Sequence, residues 1–105
     1  MGKNKDIESA ANILIQVVVH NIIPDFTNKP ESVPHMKQEE IAYRAQSFKK
    51  LSAQNWNESD KQIIKSLVTS GVQKKLNNKY PDVKIPQDVV LSRIKEQLDG
   101  FFSEI

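Results

Sequence analysis

The feature that most constrains the fold is a long apolar stretch near the start of the chain. In residues 6–20 the apolar side chains recur at the three- and four-residue spacing of one helical face. Ile13, Ile15 and Val19 widen that arc beyond an ordinary amphipathic stripe. A helix this apolar must be enclosed, either by other helices of the same chain or by a second chain. The β-branched run 17–19 leaves a strand as the alternative, and we favour the helix because the segment is long.

Three further segments carry the periodicity of amphipathic helices, at residues 35–53, 58–79 and 86–102. Pro24 is expected to stop the first helix, since proline lacks the N–H that a helix interior needs. Residues 21–34, which contain two more prolines, are therefore predicted to form a long ordered connection. Because several of its side chains are apolar, this connection is expected to pack onto the helices.

One feature of the second predicted helix and one of the third bear on how the helices pack. The second predicted helix carries its core stripe at Ile41, Ala45, Phe48 and Leu51. In the third, the apolar stripe rotates by about a third of a turn across Gly71. Either Gly71 is a kink or a close-packing site within one helix, or it ends one helix and a second begins. We favour a single kinked helix that ends near residue 79.

No alternating apolar and polar pattern with a hairpin turn occurs in the chain. The 105 residues suit one domain with a single modest core. The sequence thus predicts an all-α, single-domain bundle of four to five helices.

Several kinds of chemistry lack the residues they need. The chain has no cysteine, three glycines and two histidines, His20 and His35, in different segments. Thiolate metal sites are excluded because there is no cysteine, and no glycine-rich phosphate-binding motif occurs. No serine lies in the Gly-x-Ser-x-Gly pattern of a nucleophile elbow. We expect no metal, no cofactor and no enzymatic activity.

The sequence also lacks the pattern expected of a targeting signal. The apolar stretch 13–23 contains polar residues, lacks a small-residue cleavage site after it, and is too short to span a bilayer. The interpretation is a cytoplasmic protein without membrane contact.

Charge is distributed unevenly, although the formal net charge is only +2. Residues 61–84 contain six lysines and a single acidic residue, Asp82. On an ideal helical wheel Lys61, Lys65, Lys75 and Lys79 fall within about 80° of one another. Such a basic stripe is typical of a surface that contacts nucleic acid or an acidic protein, and equally of a solvated lysine face. The candidate binding residues are Lys61, Lys65, Lys74, Lys75 and Lys79.

A helix-turn-helix placed at Gly71 fits poorly, because the following helix is short and without arginine. Any nucleic-acid contact is therefore expected at the phosphate backbone.

Two aromatic residues are candidate anchors for a partner. Trp56, in a polar turn, either caps the core or binds a partner, and Tyr43 lies off the apolar stripe of its helix.

Three hypotheses about function follow. The leading one is a non-enzymatic helical interaction or regulatory protein that binds a protein partner or itself, with the first helix as a candidate homodimer seam. The alternative is a nucleic-acid-binding accessory protein that uses the lysine stripe. A small-molecule site between helices is supported only by the general tendency of helical bundles to contain pockets.

Overall fold

A computed structural model describes residues 2–104 of the chain, with side chains from residue 4 onward. The predicted all-α bundle is confirmed, with no strand in these residues. The elements are α1 (Gly2–Phe26), a 3-10 turn (Pro30–Ser32), α2 (Val33–Ser52), α3 (Glu58–Lys79) and α4 (Gln87–Glu104).

The four helices alternate in direction, and α1 is the central one. It packs along both α2 and α3 and also contacts α4. On the α2 side the rings of His20 and Tyr43 lie 5.3 Å apart. On the α4 side Arg93 binds the side-chain oxygen of Asn21 at 3.0 Å and pairs with Asp25. Every other helix therefore contributes to the enclosure of α1.

The wide apolar surface of α1 is buried by the other helices of the same chain. Val17, Val18, Val19 and Ile22 have no exposed surface, and they belong to a single apolar core cluster. Of the two ways to enclose such a helix, the chain uses its own other three helices, so the apolar arc does not require a second copy. The strand alternative for the run 17–19 is wrong.

The first helix is longer than predicted at both ends. Over Asn4–Phe26 it is long and apolar enough to cross a membrane by length and composition alone, and 56% of the apolar window is buried inside the bundle. The segment that was expected to be too short to span a bilayer therefore lies in a helix that is long enough. The core helix of a soluble protein and a signal sequence near the N-terminus both pass this test.

The predicted loop 21–34 is mostly helical. The helix passes through Pro24 and ends at Phe26, with Thr27 N donating to Ile23 O at 2.8 Å. Because Pro24 lies in the last turn, its missing N–H removes only one bond near the end of the ladder. Pro34 lies in the first turn of α2, where a proline is favourable because that N–H has no helical partner. Within the segment 21–34, only residues 27–29 lie outside any helix.

The core stripe predicted for α2 is partly wrong. Ile41 is 71% exposed and Ala45 is also exposed, whereas Leu51 is buried as predicted. The inward face instead carries polar groups that find partners there, since Arg44 donates to Glu40 Oε1 at 2.8 Å and to Gln97 Oε1 of α4 at 2.6 Å. This face also buries Met36 and Ser47, and the hydroxyl of Ser47 has no hydrogen-bond partner among the described residues.

The third helix is continuous through Gly71, and it ends at Lys79 as predicted. It begins at a capping box, in which Asn57 Oδ1 accepts from Asp60 N at 2.8 Å and Asp60 Oδ2 accepts from Asn57 N at 3.2 Å. A Cβ added at Gly71 would lie 2.2 Å from Ile15 Cδ1, far inside van der Waals contact. Gly71 is therefore a close-packing site within one helix, where α3 approaches α1.

Candidate functional site

The predicted lysine stripe is divided between two sides of α3. At the start of the helix, Lys61 Nζ lies 5.7 Å from the centre of the Phe102 ring, and Lys65 Nζ lies 3.8 Å from an Asp99 oxygen. Both lysines therefore face α4. A hydrogen bond from Lys95 lowers the pKa of the Asp99 carboxyl, with Lys65 contributing further.

The other lysines lie on the α1 side. Lys74, Lys75 and Lys79 border a hollow whose opposite wall is formed by Asn12 and Gln16 of α1. The division arises because the buried face of α3 rotates along the helix, from Ile64 and Val68 to Val72. Lysines that align on a wheel therefore end on opposite flanks of the packed face.

A furrow runs between α1 and α3 across the Gly71 crossing. It consists of two adjoining hollows of about 360 and 430 Å³. Asn12, Ile15, Gly71 and Lys74 line both hollows. The first is completed by Glu8, Ala11, Leu67 and Ser70, and the second by Gln16, Lys75, Asn78 and Lys79. These twelve residues are called the α1/α3 furrow below.

Charge is unevenly distributed along the α1/α3 furrow, although Ile15 and Lys74 line both hollows. Its first half contains half-buried Ile15 and Leu67, which is 39% exposed, and Ile63 one turn before Leu67 is 45% exposed. Its second half carries the three lysines, none of which forms an ion pair with a described residue. The only acidic side chain of the furrow, Glu8, lies at the opposite end.

The two aromatic candidates are both packed within the bundle. Trp56 is buried at 9% exposure and donates its indole N–H to Leu51 O at 2.8 Å. It therefore caps the core and is not an exposed anchor, because the adjacent turn folds it inward to satisfy that carbonyl. Tyr43 is half-buried against His20.

A second polar cluster joins the two histidines, which the sequence had separated. His35 Nε2 and His20 Nε2 lie 2.5 and 3.4 Å from the two carboxylate oxygens of Glu39, and His20 Nδ1 lies 2.7 Å from Gln16 O. Burial, and then the negative charge of Glu39, raise the pKa of Tyr80 nearby. The i, i+4 spacing of His35 and Glu39 was the available signal. His35 begins the predicted helix 35–53, but periodicity within that helix does not show that His20 of α1 lies against it.

Within residues 4–104, no group of three or more His, Cys, Asp or Glu side chains is arranged to hold a metal ion. Glu39 of α2 links the two helices through its contact with His20 of α1. Comparison with protein-family models, with curated proteins and with solved structures found no match to this chain. The α1/α3 furrow combines exposed Leu67 and half-buried Ile15 with three lysines that form no ion pair with a described residue, and it is the candidate functional site.

Proposed function

We propose that this protein is a non-enzymatic helical interaction protein that binds another protein through the α1/α3 furrow. The supporting observation is the combination, in one surface, of exposed Leu67 beside half-buried Ile15 with three lysines that have no acidic partner among the described residues. Exposed apolar side chains rimmed by charge are typical of protein-binding surfaces.

The nucleic-acid alternative is less well supported by the same surface. A phosphate backbone is bound by cations that follow its path. Here Lys61 and Lys65 are directed to α4, and Glu8 occupies the far end of the furrow, where it would repel phosphate. The apolar part of the furrow would also gain nothing from a backbone contact. A protein partner uses both halves.

Site-specific photocrosslinking tests the proposal in the cells that naturally express the protein. A benzoylphenylalanine in place of Leu67 is expected to crosslink to another protein. The matched control places the same group at Ile41, which is more exposed but lies on α2 outside the furrow. We expect at least a ten-fold stronger crosslink from position 67, because only that position lies within the binding surface.

The other outcomes separate the alternatives. Equal crosslinks from positions 67 and 41, or none from position 67, would overturn the proposal. A crosslink from position 67 to a second copy of the chain would replace the partner with self-association. Anisotropy titrations with generic oligonucleotides provide the independent check. Micromolar binding with a log–log salt slope of about −3, one phosphate for each furrow lysine, would favour the nucleic-acid alternative.

A further inference from the structure

We infer that the occupant of the α1/α3 furrow is an amphipathic helix of the partner protein, with acidic residues at one end of its apolar stripe. The inference rests on the proposed function and specifies the chemistry of the partner. Helix-in-groove binding places apolar side chains spaced by three and four residues into a groove between two helices.

The dimensions of the furrow suit a short helix. From Leu67 to Lys79 the axis of α3 advances by about 18 Å at 1.5 Å per residue, which matches roughly twelve residues, or three turns, of a bound helix. At the centre Gly71 has no side chain and Ser70 has a small one, so the α3 wall is low there. An apolar side chain of the partner can therefore reach Ile15.

The charges give the furrow a direction. Lys74, Lys75 and Lys79 make the second half strongly basic, whereas in the first half the carboxylate of Glu8 offsets the charge of Lys74. Complementary charge therefore requires acidic residues over the second half and apolar residues over Ile15 and Leu67. A partner with the opposite arrangement would place acidic groups against Glu8 and leave the lysines unpaired.

The test measures binding of three labelled synthetic 14-residue helical peptides to the intact protein by fluorescence anisotropy. The first carries a leucine stripe with three glutamates at one end. The second has lysines in place of the glutamates, and the third keeps the glutamates but has serines in place of the leucines. We expect micromolar binding of the first and at least ten-fold weaker binding of the other two. Equal affinities, or no binding of the first peptide, would overturn the inference.

Two matched triple variants locate the binding surface. Lys74→Glu/Lys75→Glu/Lys79→Glu reverses the furrow charges, and Lys37→Glu/Lys49→Glu/Lys84→Glu reverses three exposed lysines outside the furrow with the same change in net charge. We expect the furrow variant to lose at least ten-fold in affinity for the first peptide and the control less than three-fold. Circular dichroism checks that both variants remain folded. Equal losses would mean that net charge alone attracts the peptide, which overturns the inference.

The two proposals can fail separately. A strong crosslink from position 67 with no binding of the first peptide would leave the proposed function standing and remove the helical acidic occupant. Specific peptide binding without any crosslink in cells would show the chemistry of the furrow while removing the proposed function.

Discussion

At the scale of single residues, the bundle holds several polar side chains inside, and nearly all of them have definite partners. The indole of Trp56 is bound to Leu51 O, and Arg44 joins Glu40 to Gln97 while its guanidinium lies 5.4 Å from the Phe101 ring. These bonds fix how neighbouring helices are rotated, because buried donors left without acceptors would cost stability.

The pKa of Tyr80 makes stability depend on alkaline pH. Burial and the charge of Glu39 raise the pKa of the phenol above its usual 10.0, so the folded protein favours the neutral form. Above about pH 10 the unfolded chain loses this proton before the folded one does. We therefore expect the free energy of unfolding to fall as the pH rises from about 10 through the raised pKa.

The measurement is urea denaturation followed by the fluorescence of the single tryptophan between pH 8 and 11. Tyr80→Phe is the control, since it removes the titrating phenol and keeps the ring. Its unfolding free energy should fall less steeply over the same range. A pH dependence unchanged by Tyr80→Phe would show that the phenol is not responsible.

At the scale of elements, the crossing of α1 and α3 depends on Gly71. An alanine there gains about 1 kcal/mol of helix propensity but forces Ile15 to move. In an Ile15→Ala background the obstruction is gone and only the gain remains. We therefore compare the change in the free energy of unfolding that Gly71→Ala causes in the two backgrounds. We expect this change to be more stabilising by about 1 kcal/mol in the Ile15→Ala background than in the wild type, which is a coupling typical of residues in contact. Thermal or chemical unfolding of the four proteins measures it, and strictly additive effects would contradict the close contact.

The same elements show how far the sequence determines the fold. The enclosed first helix and the buried Leu51 follow from periodicity, whereas the rotated stripe of the third helix left its continuity through Gly71 open. The helix was expected to stop at Pro24, but it continues for two residues beyond it, because the proline removes only the bond of its own missing N–H.

Tertiary packing decided the remaining cases. Ile41 is exposed since Arg44 and Glu40, paired with each other, occupy the inward side of α2. The lysine stripe was divided for a related reason. A helical wheel shows one helix alone, so it cannot show which neighbouring helix each lysine faces. The α1/α3 furrow is formed by residues about 60 positions apart in the sequence, and periodicity within a single helix does not bring them together.

At the scale of the whole molecule, one helix is enclosed by the other three, so the core is complete in a single chain. Val19 has no exposed surface. We expect Val19→Lys to unfold the protein, since it buries an unpaired charge at the centre of the core. Ile41→Lys, the same change at a 71% exposed position, should leave stability within about 0.5 kcal/mol.

Circular dichroism and light scattering together test this expectation. The wild type should have the mass of one chain, 12.0 kDa. A dimeric wild type that Val19→Lys converts to folded monomers would instead place this helix at a seam between two copies.

The central position of α1 also has a consequence for biosynthesis. The ribosome makes this helix before the three that enclose it, and about 50 residues separate its end at Phe26 from the end of α3 at Lys79. At roughly 5 to 20 residues per second, the most apolar part of the chain waits about 3 to 10 seconds for α2 and α3, and longer for α4. During translation the nascent chain therefore presents the kind of segment that ribosome-associated chaperones bind, and its solubility in the cell depends on events that precede folding.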